Sequence, residues 1–383
     1  MKRKPIVIVG IILGSLILCI IVIWPMAPLW AKLGAGSICI QGNLPKIKLV
    51  PCQPSTASLP TATPLPTITS SEQEPIPIIF DDDGSPDGMI ALLYFLHNPR
   101  YDVRAVTISS GEAHPDRFAP QIIQLFALLG KAGIPVGVGR LTPLEGSNAF
   151  PAPWRQASDS FWEIVLPQTS TYVEPAPAAE LMLETLYSSS SPMQVFVSGT
   201  HTNLAEALRL DPGLAEHISG VYVMGGNIYV PGNIESDWPE LHNQVAEWNI
   251  WVDPLAAHEV FASGLPLHLI PLDATNQVTW AEADALGWVN SGTPESRYAA
   301  DILRWVFSTW STDQAYIWDL VAAVVMADSR LCPMVSLALD VNTTPGPEQG
   351  QILVGEGMAN VEVCLQPDAA QVRQNVVGVL GGP

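Results

Sequence analysis

Past residue 75 the chain alternates short apolar runs with longer helix-patterned ones, and the apolar runs end in polar clusters. Residues 76–80, 103–109, 194–197, 220–224 and 267–272 read as strands, and 89–96, 118–129 and 203–210 as helices. Strands separated by helices predict an α/β fold, with a mostly parallel central sheet and helices on both faces. In such sheets a ligand sits beyond the carboxyl ends of the strands. The polar punctuation lies there: Asp81 to Asp87 after the first strand, Ser110-Gly-Glu after the second, Ser198-Gly-Thr-His-Thr-Asn after the third and Gly225-Gly-Asn after the fourth. No internal repeat stands out.

The segments before residue 75 read differently. Residues 6–24 are an almost unbroken apolar run, long enough to cross a bilayer as a helix. Lys2, Arg3 and Lys4 place its start on the cytoplasmic side, with Trp24 and Trp30 near the far interface. The expectation is an uncleaved transmembrane anchor over 1–30, and the rival is a signal peptide cut near 31–35. Residues 31–74, rich in Pro, Thr and Ser, predict a disordered extracellular stalk, and 75–383 the folded domain. Of 17 Lys and Arg, six lie in the first 50 residues, where there is no acid. From Ile76 onward 35 acids face 11 bases, a net of −24, which repels phosphate backbones and excludes nucleic-acid polymers as partners. Cys39, Cys52, Cys332 and Cys364 would lie in an oxidising compartment. Their neighbourhoods suggest pairing Cys39 with Cys52 and Cys332 with Cys364, against free thiols as the alternative. No Cys/His spacing points to zinc.

Asp81, Asp82, Asp83 and Asp87 crowd one strand end. Like charges so close repel unless a cation or buried hydrogen bonds compensate, and carboxylate oxygens suit a hard divalent ion. The plainer alternative is turn formation and helix capping. A phosphoryl-transfer enzyme with Asp-x-Asp after its first strand would need a base for the phosphoryl group. Lys131, in a turn far from the other motifs, is the only lysine after Lys48.

The stretch Asp81-Asp-Asp83-Gly-Ser-Pro-Asp87-Gly88 resembles the Asp-x-Asp-x-x-x-Asp-Asp opening of the inosine-uridine-preferring nucleoside hydrolases. The similarity continues through Val197-Ser-Gly-Thr-His-Thr-Asn-Leu-Ala-Glu-Ala-Leu, Val223-Met-Gly-Gly-Asn and Pro231-Gly-Asn233. It runs on through Ala246-Glu247-Trp-Asn249-Ile-Trp-Val-Asp-Pro-Leu-Ala-Ala and Leu272-Asp-Ala-Thr to Trp318-Asp319-Leu-Val-Ala-Ala, covering roughly 75–332. The resemblance implies a nucleoside-hydrolase-like fold and cleavage of ribonucleosides to ribose and base. It makes Asp83 a calcium ligand and the general base on a metal-held water, with Asp319 and the Ser198 carbonyl as further ligands. Asp87, Asn233, Glu247 and Asn249 would bind the ribose hydroxyls, and Met224 would line the sugar pocket. Read alone, Glu247 and Asn249 are also what a strand edge with alternate polar residues would carry. A homo-oligomer is compatible with this reading.

Three positions depart from the family pattern. Gly88 stands where the family has a metal-binding Asp, so that Gly88→Asp is expected to tighten calcium binding. Glu112 stands for an Asn near metal and sugar, and is a further candidate ligand that could restore the missing charge. Trp318 stands for a His that serves leaving-group protonation in some members, and a Trp can stack on a base. A loop over 150–162, with Trp154, Arg155, Asp159 and Trp162, reads either as a cover over the substrate or as a packed surface loop. His114, His201 and His242 read as loop or packing residues. The alternative function is a catalytically impaired extracellular receptor that keeps the ribose pocket.

Overall fold

The computed structural model describes residues 38–41, 48–51, 74–169, 173–310 and 312–381. The chain divides into two units, Met1–Ser70 and Ser71–Pro383. In the first, β1 (Ile38–Gln41) pairs antiparallel with β2 (Lys48–Pro51). These two strands fall within 31–74, where an extended stalk is expected, and the rest of 31–73 lies outside the described residues. Both segments are rich in Ile, Leu and Val, and Gly, Asn and Pro between them favour a turn. The apolar run 6–24, Cys19, Cys52 and the side chain of Cys39 lie outside the described residues. Among the described residues no helix is long and apolar enough to cross a membrane.

The second unit is built on β3 (Ile76–Asp82), whose last five residues are buried. Burial on both faces suits a near-continuous apolar strand in a parallel sheet. Outward on one side lie β4 (Tyr101–Ile108), β5 (Val136–Val138) and β6 (Ala176–Pro177). The chain then returns to the other side of β3 with β7 (Met193–Val197), β8 (Ile218–Met224) and β9 (Leu267–Ile270). All these pairings are parallel. The connections therefore reverse direction between β3 and β7, and a crevice opens at such a switch point. β10 (Thr279–Trp280) and β11 (Ala315–Tyr316) form a separate antiparallel pair.

Strand alternation sorts the core into two layers. Ile78, Phe80, Val106, Phe196 and Met224 pack on one face with the helices Pro86–His97, Pro115–Leu128 and Trp318–Ala327. Phe80 stacks on Phe196 at 5.2 Å and meets Phe95 edge-on at 6.0 Å. Ile79, Val195, Val221 and Leu269 pack on the other face with the helices Ala178–Ser188, Thr202–Leu210 and Pro254–Ala262. The eight elements named from the sequence all appear, with ends moved by a few residues. Trp162, in the segment read either as a cover or as a packed surface loop, is a core residue beside Phe118 and Phe161.

The sheet continues past the sequence expectation. β14 (Val361–Cys364) adds parallel to β9, and β12 (Met334–Val341) pairs antiparallel with both β14 and β13 (Ile352–Gly355). Cys332 and Cys364 are joined across this edge, as the sequence neighbourhoods suggest. Closing a loop with a sequence separation of 32 restricts the unfolded chain, a contribution of about 4 kcal/mol in the loop-entropy account. Urea unfolding of Cys332→Ala/Cys364→Ala should show a loss near that size, and an unchanged midpoint would mean that strand pairing alone holds the edge.

Candidate active site

The crevice at the switch point opens into a cavity of about 710 Å³, within the range of small-molecule sites. Residues at the ends of the parallel strands form its floor. Asp83 follows β3, Glu112 follows β4, Ser198 follows β7, and Met224 ends β8. Asp87 lies in the first turn of the helix Pro86–His97 and Asp319 in the first turn of Trp318–Ala327. Both helices thus aim their amide-rich ends at the floor, where negative charge is favoured.

The acids are held by backbone amides and hydroxyls. Asp83 Oδ2 accepts from the Glu112 amide at 3.1 Å. Asp87 Oδ2 accepts from the Asp319 amide at 3.2 Å, and Asp319 Oδ2 from Ser85 Oγ at 3.1 Å. The second oxygens, Asp83 Oδ1 and Asp319 Oδ1, are buried without a partner. Two glycines press the backbone against Asp83: a Cβ on Gly111 or on Gly199 would overlap its side chain. The repeated Ser-Gly after β4 and β7 was the available sequence signal for that cradle.

Asp81 and Asp82 point to opposite faces, as neighbours on a strand must. Asp81 Oδ1 accepts from Thr107 Oγ1 at 2.7 Å and Asn203 Nδ2 at 2.8 Å. Asp82 turns toward the helix Pro86–His97, its Oδ1 accepting from the Gly84 amide and its Oδ2 from Ser198 Oγ, both at 2.8 Å. A Cβ on Gly88 would fall on Asp82 Oδ2. An acid introduced at 88 would therefore have to displace the Asp82 carboxylate as it now stands.

Glu247 and Asn249 lie in a short helix rather than on a strand edge. Glu247 caps Trp248–Val252, with Oε2 accepting from the amides of Gly226 at 2.8 Å and Asn249 at 3.0 Å. Asn249 Nδ2 donates to the carbonyls of Ser198 at 3.1 Å and Met224 at 3.2 Å. Asn233 borders the same cavity and its Oδ1 is buried without a partner. Every site residue expected from the sequence therefore borders one cavity. Glu112 does too, with Oε1 at 3.5 Å from Ser158 Oγ.

The walls are aromatic, and most of them were not foreseen. Phe150 stacks on Trp248 at 4.9 Å, with Trp154 against Trp248 at 5.5 Å. Across the cavity Tyr316 stacks on Trp318 at 5.5 Å, and Trp318 Nε1 donates to Asn276 Oδ1 at 2.8 Å. Of the loop expected to cover the site, Trp154 borders the cavity, whereas Asp159 is held between His114 and Arg117. Buried His201 has neither ring nitrogen partnered, and burial lowers it to about 4.

Burial is the leading cause that raises Asp81, Asp82, Asp83, Asp87, Glu112, Glu247 and Asp319. Asp81 and Glu247 are each pushed to about 7. Among the described residues no ion pair reaches any of the seven. Such a set needs protons or a cation to balance it. Among the described residues no three His, Cys, Asp or Glu side chains converge tightly enough to hold a metal ion as they stand. The donor chemistry nonetheless suits a hard cation, since the unpartnered oxygens of Asp83 and Asp319 both belong to residues bordering the cavity.

Fold and site together define an α/β protein with an acid floor for a polar ligand and aromatic walls for a flat one. The chain belongs to the inosine-uridine preferring nucleoside hydrolase family, whose description matches residues 78–374. It is 32% identical over 238 residues to the pyrimidine-specific ribonucleoside hydrolase RihA of Citrobacter koseri, covering 60% of this chain and 70% of that one. It is 30% identical over 294 residues to the protein of that name from Salmonella arizonae, covering 73% and 88%. In fold it resembles a plant nucleoside hydrolase (TM-score 0.72, 22% identity, covering 81% of this chain and 100% of that one). It also resembles a purine-preferring ribonucleoside hydrolase from Gardnerella vaginalis (TM-score 0.70, 20% identity, 80% and 98%). Ribonucleoside hydrolysis is the reaction these relatives are named for.

Carboxyl groups raised by folding contribute stability that is full below their unfolded values and lost as pH rises through the folded ones. For Asp81 and Glu247 that loss falls between about 4 and 7 and is complete above it. His201, lowered to about 4, and His268, also lowered by burial, oppose this below their ordinary value of 6.5, but they are two groups against seven. With a chelator present, denaturant midpoints should fall between pH 5 and pH 8. A flat or rising profile would show that the acids are charged and compensated within the protein.

Proposed function

We propose that this chain hydrolyses the N-glycosidic bond of ribonucleosides, releasing ribose and free base, with Asp83 as general base. The observation that carries it is the placement of Asp83: buried, cradled by Gly111 and Gly199, with one carboxylate oxygen unpartnered beside the cavity. Calcium, held by Asp83, Asp319 and the Ser198 carbonyl, would supply the positive charge that balances the acids and makes water easier to deprotonate. Asp83 takes the water's proton. Asp87, Asn233, Glu247 and Asn249 hold the ribose hydroxyls, and Met224 lines the sugar pocket. Glu247 is locked by the amides it caps, so its orientation is set before substrate arrives. Positive charge growing on the sugar ring is stabilised by the surrounding carboxylates. Trp318, stacked on Tyr316 and anchored on Asn276, offers the base a flat surface. The relatives named above differ in the base they prefer, so the base is left to assay.

The same reading holds the domain outside the cell membrane through residues 6–24. Its support is the positive flank and apolar length of that run. Protease added to intact cells should release the folded domain, whereas a mature chain that begins after residue 35 and washes off membranes would defeat the anchor.

Asp83→Ala should lower turnover of a ribonucleoside panel by roughly 10³-fold or more, since proton transfer and cation binding are lost together. Circular dichroism should show the fold retained. Near-parental ribose release by this variant would overturn the mechanism. A parent that binds nucleosides but releases no ribose would instead be the sugar-binding receptor.

A further inference from the structure

Gly88 occupies the third position of the helix Pro86–His97, after the cap Ser85. Glycine inside a helix is destabilising relative to alanine, so its presence needs a reason. The reason is steric. A Cβ on Gly88 would overlap Asp82 Oδ2 and lie 2.8 Å from both Asp82 Cγ and Ser85 Oγ. With the Asp82 carboxylate where it stands, a side chain at 88 has no room.

That carboxylate borders the residues assigned to the cation. Its Oδ2 accepts from Ser198 Oγ at 2.8 Å, and Ser85 Oγ, which caps the Gly88 amide at 3.0 Å, donates to Asp319 Oδ2 at 3.1 Å. The buried, unpartnered Asp83 Oδ1 and Asp319 Oδ1 independently point to a ligand for this group of acids. Asp82 is fully buried and forms no ion pair among the described residues, and its oxygens accept only from the neutral Gly84 amide and Ser198 hydroxyl, so a proton or a cation must balance its charge.

We propose that Asp82 supplies to the cation site the carboxylate that position 88 lacks, and that Gly88 is the space that admits it. This rests on the calcium reading above. The acid has moved from the first turn of the helix to the strand beneath it, and the site keeps Asp82, Asp83 and Asp319. Glu112, the other candidate, comes from the end of β4 and is shared with Ser158.

The test is calorimetric titration of calcium into the detergent-solubilised full chain, with thermal midpoints measured alongside. Asp82→Asn keeps the shape and removes the charge, and should weaken calcium binding about tenfold or more, as expected when a charged ligand is lost. It should cost more affinity than Glu112→Gln. Gly88→Asp alone should lower the thermal midpoint without tightening binding. Asp82→Ser/Gly88→Asp frees the volume and returns an acid to the helix, and should bind within about threefold of the parent. Asp82→Asn at parental affinity, a larger loss from Glu112→Gln, or tighter binding by Gly88→Asp alone at an unchanged midpoint would each overturn the exchange. A parent that binds no calcium would overturn the calcium reading itself, and is seen before any variant is made.

Discussion

Seven carboxylates drawn together at one end of a parallel sheet, with no ion-pair partner among the described residues, set the terms for this protein. Burying charge without compensation is among the largest penalties a fold can carry. The fold meets it with directed dipoles. Asp87 and Asp319 sit in the first turns of two helices, and Glu247 caps a third. Amides of Gly84, Glu112, Asp319, Gly226 and Asn249 point at carboxylate oxygens. The balance stays incomplete, since Asp81, Asp83 and Asp319 each keep an oxygen with no partner. Charge imbalance of this kind suits the cation-assisted glycosidase mechanism proposed above, in which the same acids would also stabilise a positively charged sugar.

The rest of the architecture serves that floor. The reversal of connection direction between β3 and β7 separates the loops and opens the crevice, while aromatic side chains from distant segments close its sides. Phe150, Trp154 and Trp248 make one wall, and Tyr316 with Trp318 another. A polar floor with flat apolar walls matches the two halves of a nucleoside. The Trp318 indole nitrogen is engaged by Asn276, which fixes the ring plane.

Much of this was legible before any coordinates. The strands near β3, β4, β7 and β8 announce themselves because fully buried parallel strands are apolar runs that end abruptly in polar residues. The β12–β14 edge was not legible, since Met334–Val341 is half-exposed and its pairing with β14 joins segments far apart in sequence. Glu247 and Asn249 are named for the site by the family resemblance, and the alternative is a strand edge. Alternate polar residues suggest a strand edge, yet a Glu that accepts from the next amides makes a helix cap. Nor did the sequence mark Tyr316 or Asn276, since neither a two-residue strand nor a helix end carries a periodic signal.

What the sequence by itself determined is the α/β class, the family, and the residues that gather at the strand ends. Those follow from local periodicity and from short motifs whose geometry is confined to a single turn. Tertiary structure alone decided how those residues meet. Asp319 donates its amide to Asp87 across 232 positions of chain, and Trp318 reaches Asn276 across 42. It also decided the surroundings of Gly88, which reads in sequence as a lost acid and in three dimensions lies against the Asp82 carboxylate. The physical reason is that two atoms cannot share one volume, and which volumes coincide is settled only when strand and helix pack.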